Sequence, residues 1–340
     1  MTIVRAFAAV GHLDSTRGSV RLGSLLGVAL CAFVILASAM SAVGADLIIA
    51  TFNTEFLTRP SVHRKFGLPL KLKGAAREQW DTPGFRDNKF KQATRNVARF
   101  LATINADVWA LTEVGSENDL RELADELRQL GAAYPNIAVC RCTDTVTRQH
   151  VGVLSKLPLR KTLGAVAGRE GYDTELDDPE TEKHTGLSKA MRVQFSAEGH
   201  TFHLYVAHLA SERGGHEQDT QRIAQASIVR RHYLPLVLNG QHVIVAGDMN
   251  DHRGQPTLRR LRGRDDIWED LIQTGHVKYF RRQEGTRWTY EFQGERRQID
   301  HVLLSNSIGT IAKKIRAQVP AQPDPTVSDH RPVVVTINLR

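Results

Sequence analysis

His242–Asn250 reads HVIVAGDMN. Its first six residues have the β-branched, apolar character of a strand, which runs directly into Asp248 with Asn250 two positions on. One carboxylate or amide at a strand end is ordinarily a turn former. The same ending recurs along the chain. Asn53 closes LIIATFN, Glu113 closes DVWALTE and His208 closes FHLYVAH. Asp300 and His301 open DHVLLS, and Asp329 and His330 sit in VSDHRP just before the last strand. Six such endings drawn from Asn, Asp, Glu and His exceed what turn chemistry requires. Their composition is that of a hard-metal hydrolytic site: carboxylates for Mg²⁺ or Mn²⁺, amides for phosphate oxygens, histidines for proton transfer.

Around these endings strands and helices alternate loosely. Strands are read at Leu47–Phe52, Asp107–Val114, Ile137–Cys142, Val151–Leu154, Met191–Phe195, Phe202–His208, His242–Gly247, Arg287–Phe292, Gln298–Leu304 and Pro332–Leu339. Helical spacing marks Lys89–Ile104, Asp119–Leu130 and Thr220–Leu238, the last kinked or ended near Pro235. The 340 residues, 41% hydrophobic and 24% charged, exclude a disordered or collagen-like chain. No period of 20–50 residues marks a repeat protein. No linker rich in Pro, Gly or Ser divides the chain after residue 45. One domain of α/β class follows, a β-sandwich flanked by helices.

The N-terminus reads differently. Leu22–Ala45 carries no charge, follows Arg5, Arg17 and Arg21, and ends in the small residues Val43-Gly44-Ala45. This is the pattern of a signal peptide over residues 1–45, giving a secreted or periplasmic protein; a retained 22–45 segment would instead be a membrane anchor. Loss of those three arginines and Asp14 takes the formal charge from +8 to +6. Cys140 and Cys142 then remain, and are read as small core residues or free thiols. Two insertions break the rhythm. Arg59–Arg86 is basic. Gly168–His184 is acidic, and its 170–182 loop is weighed as a Ca²⁺ site, although it lacks EF-hand spacing and reads better as solvated surface.

The motifs together resemble the endonuclease/exonuclease/phosphatase superfamily, which includes pancreatic-type deoxyribonucleases, apurinic-site endonucleases and bacterial sphingomyelinases. The resemblance runs from about Asp46 to Leu339. It rests on FN at 52–53, Glu113, GVLSKLP at 152–158, HL at 208–209, GDMN at 247–250, IDHVLLS at 299–305 and SDH at 328–330. It implies a four-layered α/β sandwich, with two mostly antiparallel β-sheets face to face and helices outside. It also implies a divalent metal, Mg²⁺ or Mn²⁺, and water attack on a phosphate ester. By motif, Glu113 becomes the principal metal ligand with Asn53 beside it and Asp329 as a further acidic member. Asp248 and Asn250 orient nucleophile and phosphate. Asp300 and His330 form a dyad, and His208 matches the histidine of the deoxyribonuclease and sphingomyelinase branches. One assignment makes His330 with Asp300 the base, or a phosphate-stabilising imidazolium, and His208 the acid; which histidine is acid and which is base stays open.

Other residues carry weaker readings. Lys189 and Arg192 reach a phosphate or are simply solvated, and Arg213 shapes the loop above the site. His301 points to the face opposite Asp300, His200 and His203 are ordinary strand residues, and Ser116 and Asn118 start a helix. For substrate, nucleic acid is favoured by the basic segments Arg259–Arg264, Arg281-Arg282 and Arg296-Arg297, which flank the motifs. A lipid or small phosphate ester is the alternative. A membrane-active enzyme wants an exposed aromatic hairpin, whereas Trp288, Tyr290 and Phe292 alternate as in a half-buried strand. A binding module without catalysis is a third reading, opposed by the filled metal and histidine positions. No protein partner is indicated, and a monomer is expected.

Overall fold

In the computed structural model the described residues are 46–140, 142–145, 147–174, 183–264, 268–269, 271–273, 287–321 and 324–340. The signal-peptide segment 1–45, most of the acidic loop (175–182) and Arg281-Arg282 lie outside them. Twelve strands build two six-stranded sheets: β1 Asp46–Leu57, β2 Val108–Val114, β3 Asn136–Val139, β4 His150–Ser155, β5 Leu159–Ala165, β6 Ala190–Ala197, β7 His200–His208, β8 His242–Asp248, β9 Leu271–Gln273, β10 Asp300–Ser305, β11 Ala312–Gln318 and β12 Val333–Leu339. The first sheet has the order β11-β12-β1-β2-β4-β3 and the second β9-β10-β8-β7-β6-β5. Each contains a single parallel pair at its centre, β1 with β2 and β7 with β8; every other pairing is antiparallel.

A parallel pair needs a crossover, and each crossover here carries a long helix. Helix α1 (Phe85–Ile104) links β1 to β2, α2 (Glu117–Gln129) follows β2, and α3 (His216–Leu238) links β7 to β8. Helix α3 continues through Pro235, and α1 and α3 each begin four residues before the starts expected at Lys89 and Thr220. Ser116 starts α2 with a reciprocal capping box: its Oγ accepts from Asp119 N–H at 3.3 Å and its own N–H donates to Asp119 Oδ2 at 3.0 Å.

Strand alternation sorts the apolar side chains into three layers of core. Leu47, Ile49, Val108, Ala110, Leu204, Val206, Ile244, Ala246, Val302 and Leu304 fill the space between the sheets. Phe52, Trp109 and Leu111 face α1 and α2, whereas Tyr205, Val243 and Val245 face α3. Helix, sheet, sheet, helix is the four-layered sandwich expected. Cys140 is buried in the inter-sheet core and Cys142 packs against it, both as free thiols. Among the described residues, no helix is long and apolar enough to cross a membrane.

Strands β5, β9 and β11 lie where the sequence reading has none, and two further features differ from it. The basic insertion 59–86 is partly helical, with a 3₁₀ turn at Val62–Phe66 and a helix at Gly74–Asp81. The strand expected at Arg287–Phe292 shortens to Tyr290–Phe292 and joins neither large sheet, pairing instead with Glu295–Arg297 as a separate ribbon. Its alternation is that of a strand, but Tyr290 packs against the His330 ring while Phe292 is exposed.

Gly247 shows how tightly the second sheet is drawn at its centre. Its φ is +141°, and a Cβ placed there would stand 1.9 Å from the Ala207 carbonyl oxygen of the neighbouring strand. Gly247→Ala must therefore part β7 from β8. We expect it to destabilise the fold by more than about 2 kcal/mol, read as a lowered urea midpoint. An unchanged midpoint would contradict this packing.

Candidate active site

The two parallel pairs end at the same edge of the sandwich, and the strands beside them begin there. On β7, β8 and β10 the register sets His208, Asp248 and Asp300 side by side. Each has the parity of the inter-sheet core residues on its own strand, so each points inward where that core ends. Asn53 has the same parity on β1. His301 has the opposite one, and its Nε2 meets the Asp251 carbonyl oxygen at 2.9 Å behind the sheet.

Glu113 is the exception. By parity it would join Trp109 and Leu111 against the helices. Instead Thr112 pairs with Val151 and Val114 with His150, leaving Glu113 as an extra residue in a β-bulge at φ +58°. A bulge re-aims a side chain at modest conformational cost. It turns Glu113 inward and sends Val114 back to the helix side. Glu55 and Phe56 at the end of β1 are also left-handed, at φ +46° and +50°, and this brings the Phe56 N–H to 2.8 Å from Glu113 Oε2.

The side chains form one network across both sheets. Asn53 Nδ2 donates to Asp248 Oδ2 at 2.9 Å and to Glu113 Oε1 at 3.3 Å, and its Oδ1 accepts from Glu55 N–H at 2.9 Å. Asp248 Oδ1 accepts from Asn250 N–H at 2.9 Å, and Asn250 Nδ2 donates to the Leu209 carbonyl at 3.0 Å. His330 Nδ1 bonds to Asp300 Oδ2 at 2.7 Å. The Nε2 atoms of His208 and His330 approach Asp248 Oδ2 at 3.8 and 3.9 Å. Asp329 stands on the rim, 45% exposed, 3.7 Å from His330 Nε2. Glu55, Glu113, His208, Asp248, Asn250, Asp329 and His330 line a cleft of about 950 Å³, and Asn53 and Asp300 are buried behind them.

The two histidines are pushed apart electrostatically. Burial lowers His208 well below its ordinary value, and the charges of Lys189 and His330 lower it further. Burial also opposes charge on His330, but the Asp300 carboxylate and its hydrogen bond outweigh it, and His330 ends well above its ordinary value. Asp248 is raised by burial and then by the nearby Asp300 carboxylate.

This arrangement suits a hard divalent cation. Asp248, Asp300 and His330 hold one possible ligand atom each within 4.8 Å of one another. His330 is a poor member while it stays protonated. The carboxylates are better donors: Asp300 Oδ1 is buried with no hydrogen-bond partner among the described residues, and Glu113 lies across Asn53 from Asp248. Asn53 Oδ1 accepts from the Glu55 N–H and has a second lone pair to offer an ion. Carboxylate and amide oxygens are the donor set of Mg²⁺ and Mn²⁺ rather than of a soft metal.

Several contributors escape sequence reasoning. Gln149 Nε2 donates to Glu113 Oε2 at 2.6 Å, and Lys189 Nζ donates to Gln149 Oε1 at 3.3 Å. Lys65, from the basic insertion, is buried. Its ammonium donates to the carbonyls of Thr54 (3.0 Å), Glu55 (3.2 Å) and Val327 (2.6 Å) and pairs with Glu55 Oε2 at 3.4 Å. It ties the end of β1 to the loop bearing Asp329 and His330. Lone polar residues in loops gave no signal, because their partners are up to 262 positions away. Arg192 is engaged elsewhere, 2.8 Å from His203 Nδ1. Arg259 and Arg260 are exposed on the helix Pro256–Arg262 and do not line the cleft, whereas Arg213 and Arg297 do.

The model of the endonuclease/exonuclease/phosphatase family matches residues 50–330. The chain belongs to that family. Solved structures agree on the fold. Truncated TDP2 from Caenorhabditis elegans shares 15% identity at a TM-score of 0.53, covering 86% of this chain and 98% of that one. A mutant beta toxin from Staphylococcus aureus with bound magnesium ions shares 14% at 0.55, covering 86% and 99%. An endonuclease/exonuclease/phosphatase from Bacteroides vulgatus shares 14% at 0.53, covering 87% and 100%. No curated protein sequence matches the chain.

Two outcomes test this geometry. In metal-free protein, imidazole ¹⁵N shifts should show His330 still protonated at pH 7.5 and His208 still neutral at about pH 6; Asp300→Asn should bring the His330 titration down. Titration of both residues together near pH 6.5 would refute the arrangement. Lys65→Met should cost about 3–5 kcal/mol in urea unfolding, because it strands Glu55 and three carbonyls, and Glu55→Gln should cost less.

Proposed function

We propose that the chain is a secreted, metal-dependent phosphodiesterase, and that its substrate is nucleic acid. Residues 1–45 are its signal peptide and 46–340 its catalytic domain. The observation that carries this reading is the meeting of Asn53, Glu113, His208, Asp248, Asn250, Asp300 and His330 at one edge of both sheets, where all but the buried Asn53 and Asp300 line an open cleft. Family membership supports hydrolysis of a phosphate ester. Cleft-lining Lys189, Arg213 and Arg297 support an anionic substrate.

In this reading Glu113 is the principal metal ligand, with Asn53 and Asp329 at the same site, and Mg²⁺ is the ion. A bound divalent cation offsets the negative charge that grows on the phosphate and lowers the pKa of the attacking water. The protein supplies the rest. Asp248, held by Asn53 Nδ2 and Asn250 N–H, presents Oδ2 between the two imidazoles and orients the nucleophile. Asn250 holds the phosphate. Asp300 at His330 Nδ1 keeps a proton on His330 Nε2, aimed at a phosphate or leaving-group oxygen. His208 Nδ1 has no hydrogen-bond partner among the described residues, and burial keeps the ring neutral, so it takes the proton from water. Two such proton transfers contribute about 10²–10⁴-fold each.

His208→Ala and His330→Ala should each reduce kcat/KM by at least about 10²-fold with unchanged circular dichroism. Wild-type protein should cleave plasmid DNA or RNA with Mg²⁺ and stop with EDTA. Cleavage of sphingomyelin alone would overturn the nuclease reading, and near-wild-type activity in either histidine variant would overturn the site.

A further inference from the structure

Tyr290–Phe292 and Glu295–Arg297 form a ribbon outside both large sheets, joined by Gln293 and Gly294. Both joining residues are left-handed, at φ +51° and +81°, the conformation that a two-residue type I′ turn demands. The ribbon is therefore a defined hairpin, and it stands in the wall of the cleft. Residues 290 and 292 share one of its faces. Their rings are parallel within 6°, with centroids 6.3 Å apart, and the Tyr290 ring lies 4.8 Å from that of His330. Phe292 is 44% exposed. The other exposed large apolar side chains among the described residues, Leu130 and Leu238, sit at the ends of α2 and α3. Arg213 completes the group. Its guanidinium stands 4.6 Å from the Phe292 centroid and donates to Tyr290 Oη at 3.2 Å.

We propose that Phe292 with Arg213 is a stacking shelf for a nucleobase of single-stranded nucleic acid, next to the phosphate being cleaved. The proposal rests on the phosphodiesterase reading of the cleft. An exposed ring beside an anion-binding cleft needs a flat, apolar partner that arrives with a phosphate, and a nucleotide is both. Two ring-to-ring steps separate Phe292 from His330, which suits the base on one side of a phosphate held at that imidazole. A guanidinium over the ring adds attraction for both the π-face and the phosphate. A bilayer is a poorer partner. Insertion of this single ring would drag Arg213 and the exposed Glu295 with it, and the hairpin offers no wider apolar surface.

The test compares thymidine p-nitrophenyl phosphate with methyl p-nitrophenyl phosphate, which has no base. Phe292→Ala should raise KM for the thymidine ester roughly ten-fold and leave the methyl ester unchanged, with Phe292→Trp restoring the wild-type ratio. Equal losses on both esters, or no loss on either, overturn the shelf. Anisotropy of a labelled short single-stranded DNA, measured in EDTA, reports binding without hydrolysis. It should weaken similarly in Phe292→Ala and stay unchanged in Leu130→Ala. Should wild-type protein cleave neither ester, the hydrolytic reading fails, while Phe292-dependent anisotropy still upholds the shelf and Phe292-independent anisotropy overturns it. Phe292-dependent sedimentation with sphingomyelin–phosphatidylcholine vesicles, with DNA binding unaffected, assigns the ring to membranes and overturns it.

Discussion

The buried hydrogen bond from Asn53 Nδ2 to Asp248 Oδ2 joins the two sheets where their cores run out. It spans 195 positions of sequence. The same amide nitrogen reaches Glu113, and the same carboxylate receives the Asn250 N–H and faces both imidazoles. A carboxylate shielded from water needs several donors, and a buried donor left unmet costs about 1–3 kcal/mol. The spacing between sheets is thus fixed at this edge by polar atoms, not only by the aliphatic layer beneath them. Without that contact the carboxylates of the two sheets would repel across an open seam.

The limits of legibility follow from which residues obey their strand. His208, Asp248 and Asp300 keep the inward parity of their own apolar neighbours, so their convergence could be read from alternation, and so could the outward turn of His301. Glu113 could be placed by family motif but not by alternation, which assigns it to the wrong face. A bulge and a left-handed residue correct it, and neither has a signature in DVWALTE. Lys65 and Gln149 were illegible for another reason: a loop residue finds its partner only after the chain has folded. The ribbon at Tyr290 misled in the opposite direction, since a period of two describes a strand but does not say what covers it.

Charge also proved local. The net basicity of the chain suggested arginine-rich segments near the motifs, yet Arg259 and Arg260 turn to solvent, and Arg297 is shared between Glu212 and Glu295. The cleft is mixed in sign: Lys189, Arg213 and Arg297 line it together with Glu113, Asp248, Glu212, Glu295 and Asp329.

The two sheet orders have a consequence for the chain as a whole. β5 to β10 run outer strand, inner strand, central strand, helix, central strand, outer strand, inner strand. The series from β11 through β12 to β1, and on to β4, repeats that plan with a break where Asp46 pairs beside Asn338. The domain is in effect a ring of two equivalent arcs, opened within one of them. His208, Asp248, Asn250 and Asp300 come from the unbroken arc; Asn53, Glu113, Asp329 and His330 come from the opened one. Neither arc holds the whole proposed set. The site lies at their junction, and the ring is cut at the opposite ends of β1 and β12.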